Sequence, residues 1–402
     1  MFPGSLVLLL GGVLAANPAT EKIEDDPYLW LEEVDGARAL EWVEEWNRRT
    51  KAELASGPEF AATRDRALEI LNSRDRIAAP SQMGDYIYNF WQDAEHVRGV
   101  WRRTTLEDYL TEDPDWEVVL DVDALADAEG ENWVFKGASC LYPDYRRCMI
   151  QLSRGGGDAA VQREFDTVAR RFVEGGFTLT EAKSRTSWRD ADSLWVGTDF
   201  GPGSLTEPGY PRSARLWRRG EPLERARTVF EGEVTDVSVS AFSVHTPEGR
   251  YDLVMQTPAF FRGRLFLLLG GRLVRLDIPE DADFREIFKD RLVFSLRSDW
   301  EVGGRRYRPD SLLAIQLDEL LLGSTNFELL FEPSERVSLS RVARTRDSLL
   351  LTTLDNVRGR IYRLTPGGQG WVRKPIELPE NGTVGISSTS IDSNAYFASF
   401  AD

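Results

Sequence analysis

The sequence predicts a mainly β protein with a short α-helical segment in front of the β region, and three observations support this fold class. Near the N-terminus, apolar residues recur at helical spacing. From about Ile77 to the end, short apolar or alternating runs are separated by turn residues, which is typical of strands. Several of these runs share one form, in which a charged residue leads into a strand and a second strand follows a turn.

Two helices are predicted in the N-terminal segment. The first has one apolar face formed by residues at i, i+3, i+4 and i+7: Ala39, Trp42, Val43 and Trp46. The second is expected to begin at Pro58, since proline is favoured in the first turn, and to end near residues 72–73. Two helices of this size cannot form a core of their own, so we expect them to pack against a larger unit.

The predicted strands follow one another as a series of meanders. The first of them are short runs bounded by turn residues: Tyr86–Trp91, 99–103, 116–120, 132–136 and 148–152. The shared form recurs further along the chain at 192–196, 264–268, 290–294 and 347–351. Repeated meanders favour a β-propeller, in which four-stranded blades surround a central channel. Because the spacing is irregular and no WD or kelch signature occurs, a pair of β-sandwiches is the alternative. Residues 312–322 fit either a short helix or a strand that runs into a turn.

Charge limits the classes of partner. The chain carries 66 Asp and Glu against 49 Lys and Arg, a formal net charge of −17. Nucleic acids and anionic membranes would repel such a surface, so we exclude both as partners.

Residues 1–19 are interpreted as a signal peptide. The run 6–16 is apolar and uncharged but too short to span a bilayer, and Val13 with Ala15 fits a small-residue cleavage rule. The preceding residues, MFPGS, contain no Lys or Arg, which departs from the usual pattern. We therefore expect a periplasmic or secreted protein, with a cytoplasmic location as the alternative.

The chain has two cysteines, Cys140 and Cys148, on either side of a Pro-Asp turn signal. In an oxidising compartment the pair would face each other across a hairpin and form a disulfide. Two free, half-buried thiols are the alternative, because spacing alone does not determine the Cβ geometry. No zinc site is expected, since no CxxC occurs and the two histidines, His96 and His245, are distant in sequence.

No complete catalytic site is recognised. The G-x-S-x-G pentapeptide of a nucleophile elbow is absent, and the near misses at Ser139 and Ser387 lack the closing glycine. Both histidines lie in turn-like surroundings and are interpreted as surface residues. Three acidic pairs are interpreted as solvated turns, because they lack the Gly and Glu of a calcium loop: Asp121/Asp123, Asp190/Asp192 and Asp281/Asp283. We therefore predict no catalytic residue, no cofactor and no metal within this chain.

Several sequence blocks, in order, resemble the prolyl oligopeptidase family of serine peptidases. The blocks are DPYLWLEEV (26–34), ALEWV (39–43), YNFWQD (88–93), HVRGVWRRT (96–104), WVFKG (133–137) and SLTEPGYPR (204–212). The opening D-P-Y-x-W-L-E block is fairly specific, and the resemblance covers essentially the whole chain after the leader.

In that family a helical stretch and a seven-bladed propeller precede and cap an α/β-hydrolase domain, which carries the catalytic Ser, Asp and His. The resemblance therefore implies a helical segment at 20–75 and a propeller at 76–402. The last blade is expected to be incomplete, because 396–402 reads as a strand cut within a blade. The family's catalytic residues have no counterpart to carry over onto this chain.

The implied function is the non-catalytic, substrate-selecting and gating propeller part of a serine endopeptidase that hydrolyses oligopeptides. Its expected partners are oligopeptide substrates and a hydrolase domain, and the chain is expected to be inactive alone. The alternative is a stand-alone propeller that binds a peptide or protein without catalysis. A downstream reading frame with G-x-S-x-G and a late histidine would decide for the first.

Overall fold

The computed structural model describes residues 26–368, 370–379 and 382–401. Its contacts divide the chain between Ser73 and Arg74, two residues before the boundary expected from the sequence. The expected signal peptide lies outside the described residues. Within the described ranges, no helix is both long and apolar enough to cross a membrane.

The first unit contains the two predicted helices, α1 (Ala37–Leu54) and α2 (Pro58–Leu71), after a 3-10 turn at Leu29–Glu32. Asn72 ends α2, and its backbone N–H donates to the carbonyl oxygen of Leu68 at 2.9 Å. The Trp42 ring lies 6.3 Å from the Trp30 ring and 5.6 Å from the Trp46 ring, centroid to centroid. The predicted apolar face of α1 is therefore an aromatic cluster.

The second unit is built from antiparallel sheets in which strands pair mostly in chain order. The first three blades are blade 1, with β1 (Ser81–Met83), β2 (Tyr86–Trp91), β3 (Val100–Thr105) and β4 (Glu117–Asp121); blade 2, with β5 (Trp133–Cys140), β6 (Arg147–Arg154), β7 (Ala160–Asp166), β8 (Arg171–Phe172) and β9 (Thr178–Ala182); and blade 3, with β10 (Arg185–Asp190), β11 (Ser193–Gly197), β12 (Ser213–Arg218) and β13 (Arg227–Glu231).

The next three blades follow the same order, except that a hairpin is inserted within blade 5. They are blade 4, with β14 (Ser238–His245), β15 (Arg250–Ala259), β16 (Arg262–Leu269) and β17 (Arg272–Arg275); blade 5, with β18 (Asp283–Phe288), β19 (Arg291–Ser295), β22 (Leu312–Gln316) and β23 (Glu328–Phe331), and the inserted β20 (Trp300–Val302) and β21 (Arg305–Tyr307); and blade 6, with β24 (Val337–Arg344), β25 (Leu349–Asp355), β26 (Arg358–Gly367) and β27 (Gly370–Ile376).

The middle strands of the blades are buried on both faces. All five residues of β11 are buried, and Leu349, Leu350 and Leu351 at the start of β25 are 0% exposed. A strand covered on both faces by neighbouring sheets carries a continuous apolar run instead of an alternating one. This burial explains the apolar runs of the sequence, and each fully buried leucine stabilises the fold by roughly 1.5–3 kcal/mol.

The described residues form six blades, so the expectation of seven is wrong for this part of the chain. The last two strands, β28 (Thr383–Thr389) and β29 (Tyr396–Ala401), form a separate two-stranded sheet between blade 6 and blade 1. Val384 packs in one cluster with Leu350 of blade 6, and the Gln82 backbone N–H of β1 donates to Ser388 Oγ at 2.8 Å. Two strands supply only part of a blade, yet they bridge the two sides of the ring.

The second unit also contains short helices, most of which the sequence patterns did not predict. They are α3 (Leu106–Tyr109), α4 (Val122–Glu129) and α5 (Leu317–Leu321), with a 3-10 turn at Leu223–Arg225. Residues 312–322 contain both a strand and a helix, because β22 ends at Gln316 and α5 follows it directly.

The alternative of two β-sandwiches is wrong, since the sheets are arranged as blades around an axis.

Candidate functional site

The inner strands of the propeller surround a common axis. The first strand of each blade lies at one edge of its sheet, β10 contacts both β5 and β14, and β28 contacts both β24 and β1. These contacts define a central channel, as in other propellers. The turns that follow the inner strands lie at one end of this channel, which we call the hairpin end. The inner strands begin at the opposite end, which we call the loop end.

Tyr142 connects three parts of the ring at the hairpin end. It lies in the turn between β5 and β6 of blade 2, and its hydroxyl donates to Asp392 Oδ1 in the β28–β29 turn at 3.0 Å. Its ring centroid lies 6.2 Å from that of His245, the last residue of β14 in blade 4. Blade 2 is adjacent to neither partner in the ring. Tyr142 therefore reaches across the channel mouth.

Arg344 makes a second set of contacts between the blades at the same end. It is the last residue of β24, and its guanidinium donates to the carbonyl oxygens of His245 at 2.7 Å and Ile287 at 3.1 Å. Its Nε lies 3.3 Å from Glu286 Oε2, and only 10% of its side chain is exposed. One buried arginine thus connects blades 4, 5 and 6, and its planar fork suits several acceptors at once.

A second polar cluster at the hairpin end is centred on Asp347. Asp347 in the β24–β25 turn accepts from Asn394 Nδ2 at 2.9 Å, from Lys289 Nζ at 2.9 Å and from Arg346 Nε at 3.1 Å. These hydrogen bonds lower the pKa of Asp347 well below its usual range. The carboxylate therefore stays ionised and connects blade 5, blade 6 and the β28–β29 turn.

The hairpin that carries Tyr142 is fixed at its base by a disulfide. Cys140 and Cys148 are paired directly across β5 and β6, with Cα atoms 3.9 Å apart and the two sulfur atoms bonded. Tyr145, in the same turn, lies against blade 1, since a Cβ on Gly84 would be 3.5 Å from its ring. The sequence alone did not distinguish a disulfide from two free thiols. The structure pairs the two cysteines. Their oxidation in exported protein stays a prediction.

Thiol counting tests that prediction. In protein recovered from the periplasm or medium and unfolded without reductant, we expect no free sulfhydryl before reduction and two afterwards. Two free thiols before reduction would contradict it. Replacing both Cys140 and Cys148 by serine is expected to lower the free energy of unfolding by about 2–3 kcal/mol, because the crosslink closes a short loop.

The position of Glu286 leads us to expect that the stability of the protein depends on pH. Burial raises its pKa, although Arg344 and the backbone N–H of Ile287 oppose the shift. Ionisation is then harder in the folded state, so the contribution of Glu286 to stability is greatest below about pH 4.3, the unfolded value, and falls as pH rises through the folded pKa. The stability of Glu286→Gln relative to the natural chain should therefore increase with pH across this window.

Urea unfolding at a series of pH values measures this difference in stability between Glu286→Gln and the natural chain. The substitution Glu335→Gln, at an exposed position, is the matched control. A difference that stays constant or falls as pH rises would contradict the raised pKa of Glu286.

The other residues considered in the sequence analysis are two serines and two histidines, and they do not form a catalytic arrangement among the described residues. Ser139 and Ser387 lie in strands β5 and β28 and not at strand-to-helix turns. His96 is a turn residue whose Nδ1 lies 3.2 Å from Asp93 Oδ1. His245 was expected at the surface but is partly buried, with its Nε2 3.0 Å from the Trp188 carbonyl oxygen.

The acidic pairs have structural partners. Asp121 accepts from the Ala124 N–H at the start of α4, and Asp123 accepts from the Gly99 N–H. Asp190 accepts from Ser193, and Asp283 pairs with Arg297. Across the described ranges there is no group of three or more His, Cys, Asp or Glu side chains that would hold a metal ion.

Sequence reasoning missed Tyr142, Arg344, Glu286 and Asp392. The cysteine spacing identified the correct hairpin but gave no role to the tyrosine between the cysteines. Glu286 and Arg344 are far apart in sequence and meet only because neighbouring inner strands end at the same mouth. A charged residue at the end of an inner strand, followed by a turn, was the available signal.

Comparisons with known proteins agree with this fold. Residues 16–255 match the family described as "Prolyl oligopeptidase, N-terminal beta-propeller domain". An uncharacterized peptidase of Sinorhizobium fredii is 37% identical over 95% of this chain and 54% of its own length. One of Rickettsia prowazekii is 28% identical over 93% of this chain and 54% of its own length. The chain thus spans about half the length of the curated relatives it matches.

Solved structures give the same picture. A post-proline cleaving enzyme from Rickettsia typhi has a TM-score of 0.85 and 28% identity, covering 89% of this chain and 55% of that one. Oligopeptidase B from Leishmania major shares the fold, with a TM-score of 0.67 and 16% identity over 90% of this chain and 50% of that one. The family match covers more than half of the 402 residues, and the chain therefore belongs to the prolyl oligopeptidase family, as its N-terminal β-propeller part.

Proposed function

We propose that this chain is the substrate-selecting, gating part of a prolyl oligopeptidase-like serine endopeptidase, and that it has no catalytic activity by itself. The observation that carries the proposal is the hairpin end of the channel. There Tyr142 and Arg344 contact blades that are not their neighbours in the ring. In this proposal, a mouth crossed by side chains excludes folded proteins, and an extended peptide enters along the channel axis.

The loop end supports docking of an α/β-hydrolase domain. Four apolar side chains in turns at this end are strongly exposed: Val97 (71%), Phe260 (77%), Phe261 (69%) and Val357 (90%). Phe260 and Phe261 are adjacent in the β15–β16 turn, and exposed aromatic side chains that lie together are typical of an interaction site. In this arrangement the hydrolase domain covers the loop end, and peptides that reach the lumen meet its catalytic residues.

We also propose that the β28–β29 hairpin is part of a seventh blade. The β28–β29 hairpin occupies the gap between blades 6 and 1, and β29 pairs only with β28 among the described strands. An unpaired strand edge accepts a further strand. We infer that additional strands pair with β29 in the whole enzyme and complete this blade.

A complementation experiment tests the proposal. The part of the Sinorhizobium relative that this chain does not match, in which we propose the hydrolase domain, is produced separately and mixed with this chain. We expect the chain alone to cleave no proline-containing peptide, and we expect the mixture to form a complex, to melt at a higher temperature than the chain alone and to self-associate less. The double substitution Phe260→Ser and Phe261→Ser should weaken the complex, whereas exposed Arg218→Gln should not.

Two results would overturn the proposal. Turnover by the highly purified chain, blocked by a serine-directed phosphonate, would show a catalytic site within it. A chain that stays monomeric in light scattering and melts identically with or without the hydrolase part would make a stand-alone binding module the better interpretation.

A further inference from the structure

A cationic pocket lies at the loop end of the channel, between blades 2 and 3. Its cavity of about 270 Å³ is lined by Lys136, Lys183, Arg185 and Tyr210, among others. Lys136 belongs to inner strand β5, and Arg185 begins inner strand β10. The pocket therefore opens beside the axis, at the end opposite Tyr142.

The charge of this pocket is opposite to that of the protein. Three cations line it, against a single carboxylate, Asp158, whose Oδ2 lies 3.9 Å from Lys183 Nζ and whose side chain is 80% exposed. Within the described part of the chain, Lys136 and Arg185 have no ion pair, although the net charge is −17. Two uncompensated cations facing one small cavity favour an anionic ligand.

The walls of the pocket are held in place by buried polar contacts. Gln162 of β7 is 1% exposed, and its Nε2 donates to the Ser184 carbonyl oxygen at 3.3 Å. Its Oε1 accepts from Thr186 Oγ1 in β10. Lys183 Nζ also lies 5.0 Å from the centre of the Tyr210 ring. Blade 2 and blade 3 are thus joined beside the cations, so the backbone that carries Lys183 and Arg185 is held in place.

We propose that this pocket binds a carboxylate of a peptide substrate and thereby selects peptides that carry one near the segment inside the channel. Arg185 supplies the planar fork that matches a carboxylate, and Lys136 supplies a second positive charge. The cavity accommodates one residue-sized group and not a folded partner. This inference rests on the proposed function for the identity of the ligand as a substrate, but the binding itself is measured without peptidase activity.

Fluorescence anisotropy with the full 402-residue chain tests the inference. Three labelled Ala- and Pro-containing pentapeptides are compared: one with a free C-terminal carboxylate, one with a C-terminal amide, and one amide with an internal glutamate. We expect the amide without glutamate to bind about tenfold more weakly than the best carboxylate peptide, since one charge-assisted pair contributes about this much. The other two peptides distinguish a terminal from a side-chain carboxylate.

Variants assign the binding to this pocket. Lys136→Gln and Arg185→Gln are each expected to remove most of the preference for the carboxylate, and added salt should reduce it in the natural chain. Both side chains are exposed, and unchanged melting curves confirm that the variants fold. Arg218→Gln, a matched exposed cation on β12, should leave the preference unchanged. Equal binding of all three peptides, or a preference that survives both substitutions, would overturn the inference whether or not the chain serves a peptidase.

Discussion

Replacing Arg344 by alanine is expected to lower the free energy of unfolding by about 3–5 kcal/mol, because the substitution leaves a carboxyl that is only 24% exposed without its partner. Glu286 loses its guanidinium, and the carbonyl oxygens of His245 and Ile287 lose their donor. A typical domain is stable by only about 5–15 kcal/mol, so this single change removes a large share of the total. Urea unfolding followed by tryptophan fluorescence measures the loss.

Two further variants distinguish the role of Arg344 from a general effect of charge. Arg344→Lys retains the charge but not the planar fork, so it should recover only part of the stability. Arg336→Ala removes an exposed arginine that precedes the same strand and should change stability by less than about 0.5 kcal/mol. Equal effects of Arg336→Ala and Arg344→Ala would contradict the position assigned to Arg344.

Removing the β28–β29 hairpin, by ending the chain after Pro379, is expected to abolish cooperative unfolding and cause self-association. The deletion exposes Leu350 and Ile361 of blade 6, which are 0% and 2% accessible and pack against Val384 and Ile386. Four such side chains at roughly 1.5–3 kcal/mol each account for about 6–12 kcal/mol, comparable to the whole stability of a domain. The deletion also opens the ring between blades 6 and 1.

Thermal melts and light scattering measure the effect of this deletion. Ser387→Ala, an exposed change within β28, is the matched control and should leave the melting temperature almost unchanged. If the shortened chain stays monomeric and melts cooperatively, the six blades are stable without the hairpin, and the ring does not depend on it.

The fold was largely predictable because its signals are local. Helix α2 begins at Pro58 as expected, and β2 has the predicted bounds, since apolar spacing and turn residues determine such elements. The number of blades was not predictable in this way. It depends on which strands pair, and very short strands such as β8 and β20 leave no periodic pattern in the sequence.

The candidate site was predictable only in part. The cysteines marked the hairpin of Tyr142 because covalent pairing has a recognisable spacing. The contact between Tyr142 and Asp392 joins residues 250 positions apart, and its two partners come together only when the ring closes. The same reason hid the cationic pocket, since Lys136 and Arg185 belong to strands of different blades.

The most direct measurement of the central claim compares one peptide sequence in two settings. This chain is joined to the part of the Sinorhizobium relative that it does not match, in which we propose the hydrolase domain. Cleavage is followed for a short proline-containing peptide and for the same sequence displayed on a surface loop of a stably folded protein. A gating propeller predicts that the short peptide is cleaved, that the folded protein is not, and that unfolding the protein restores cleavage. Cleavage of the folded protein and the short peptide at equal rates would contradict the account.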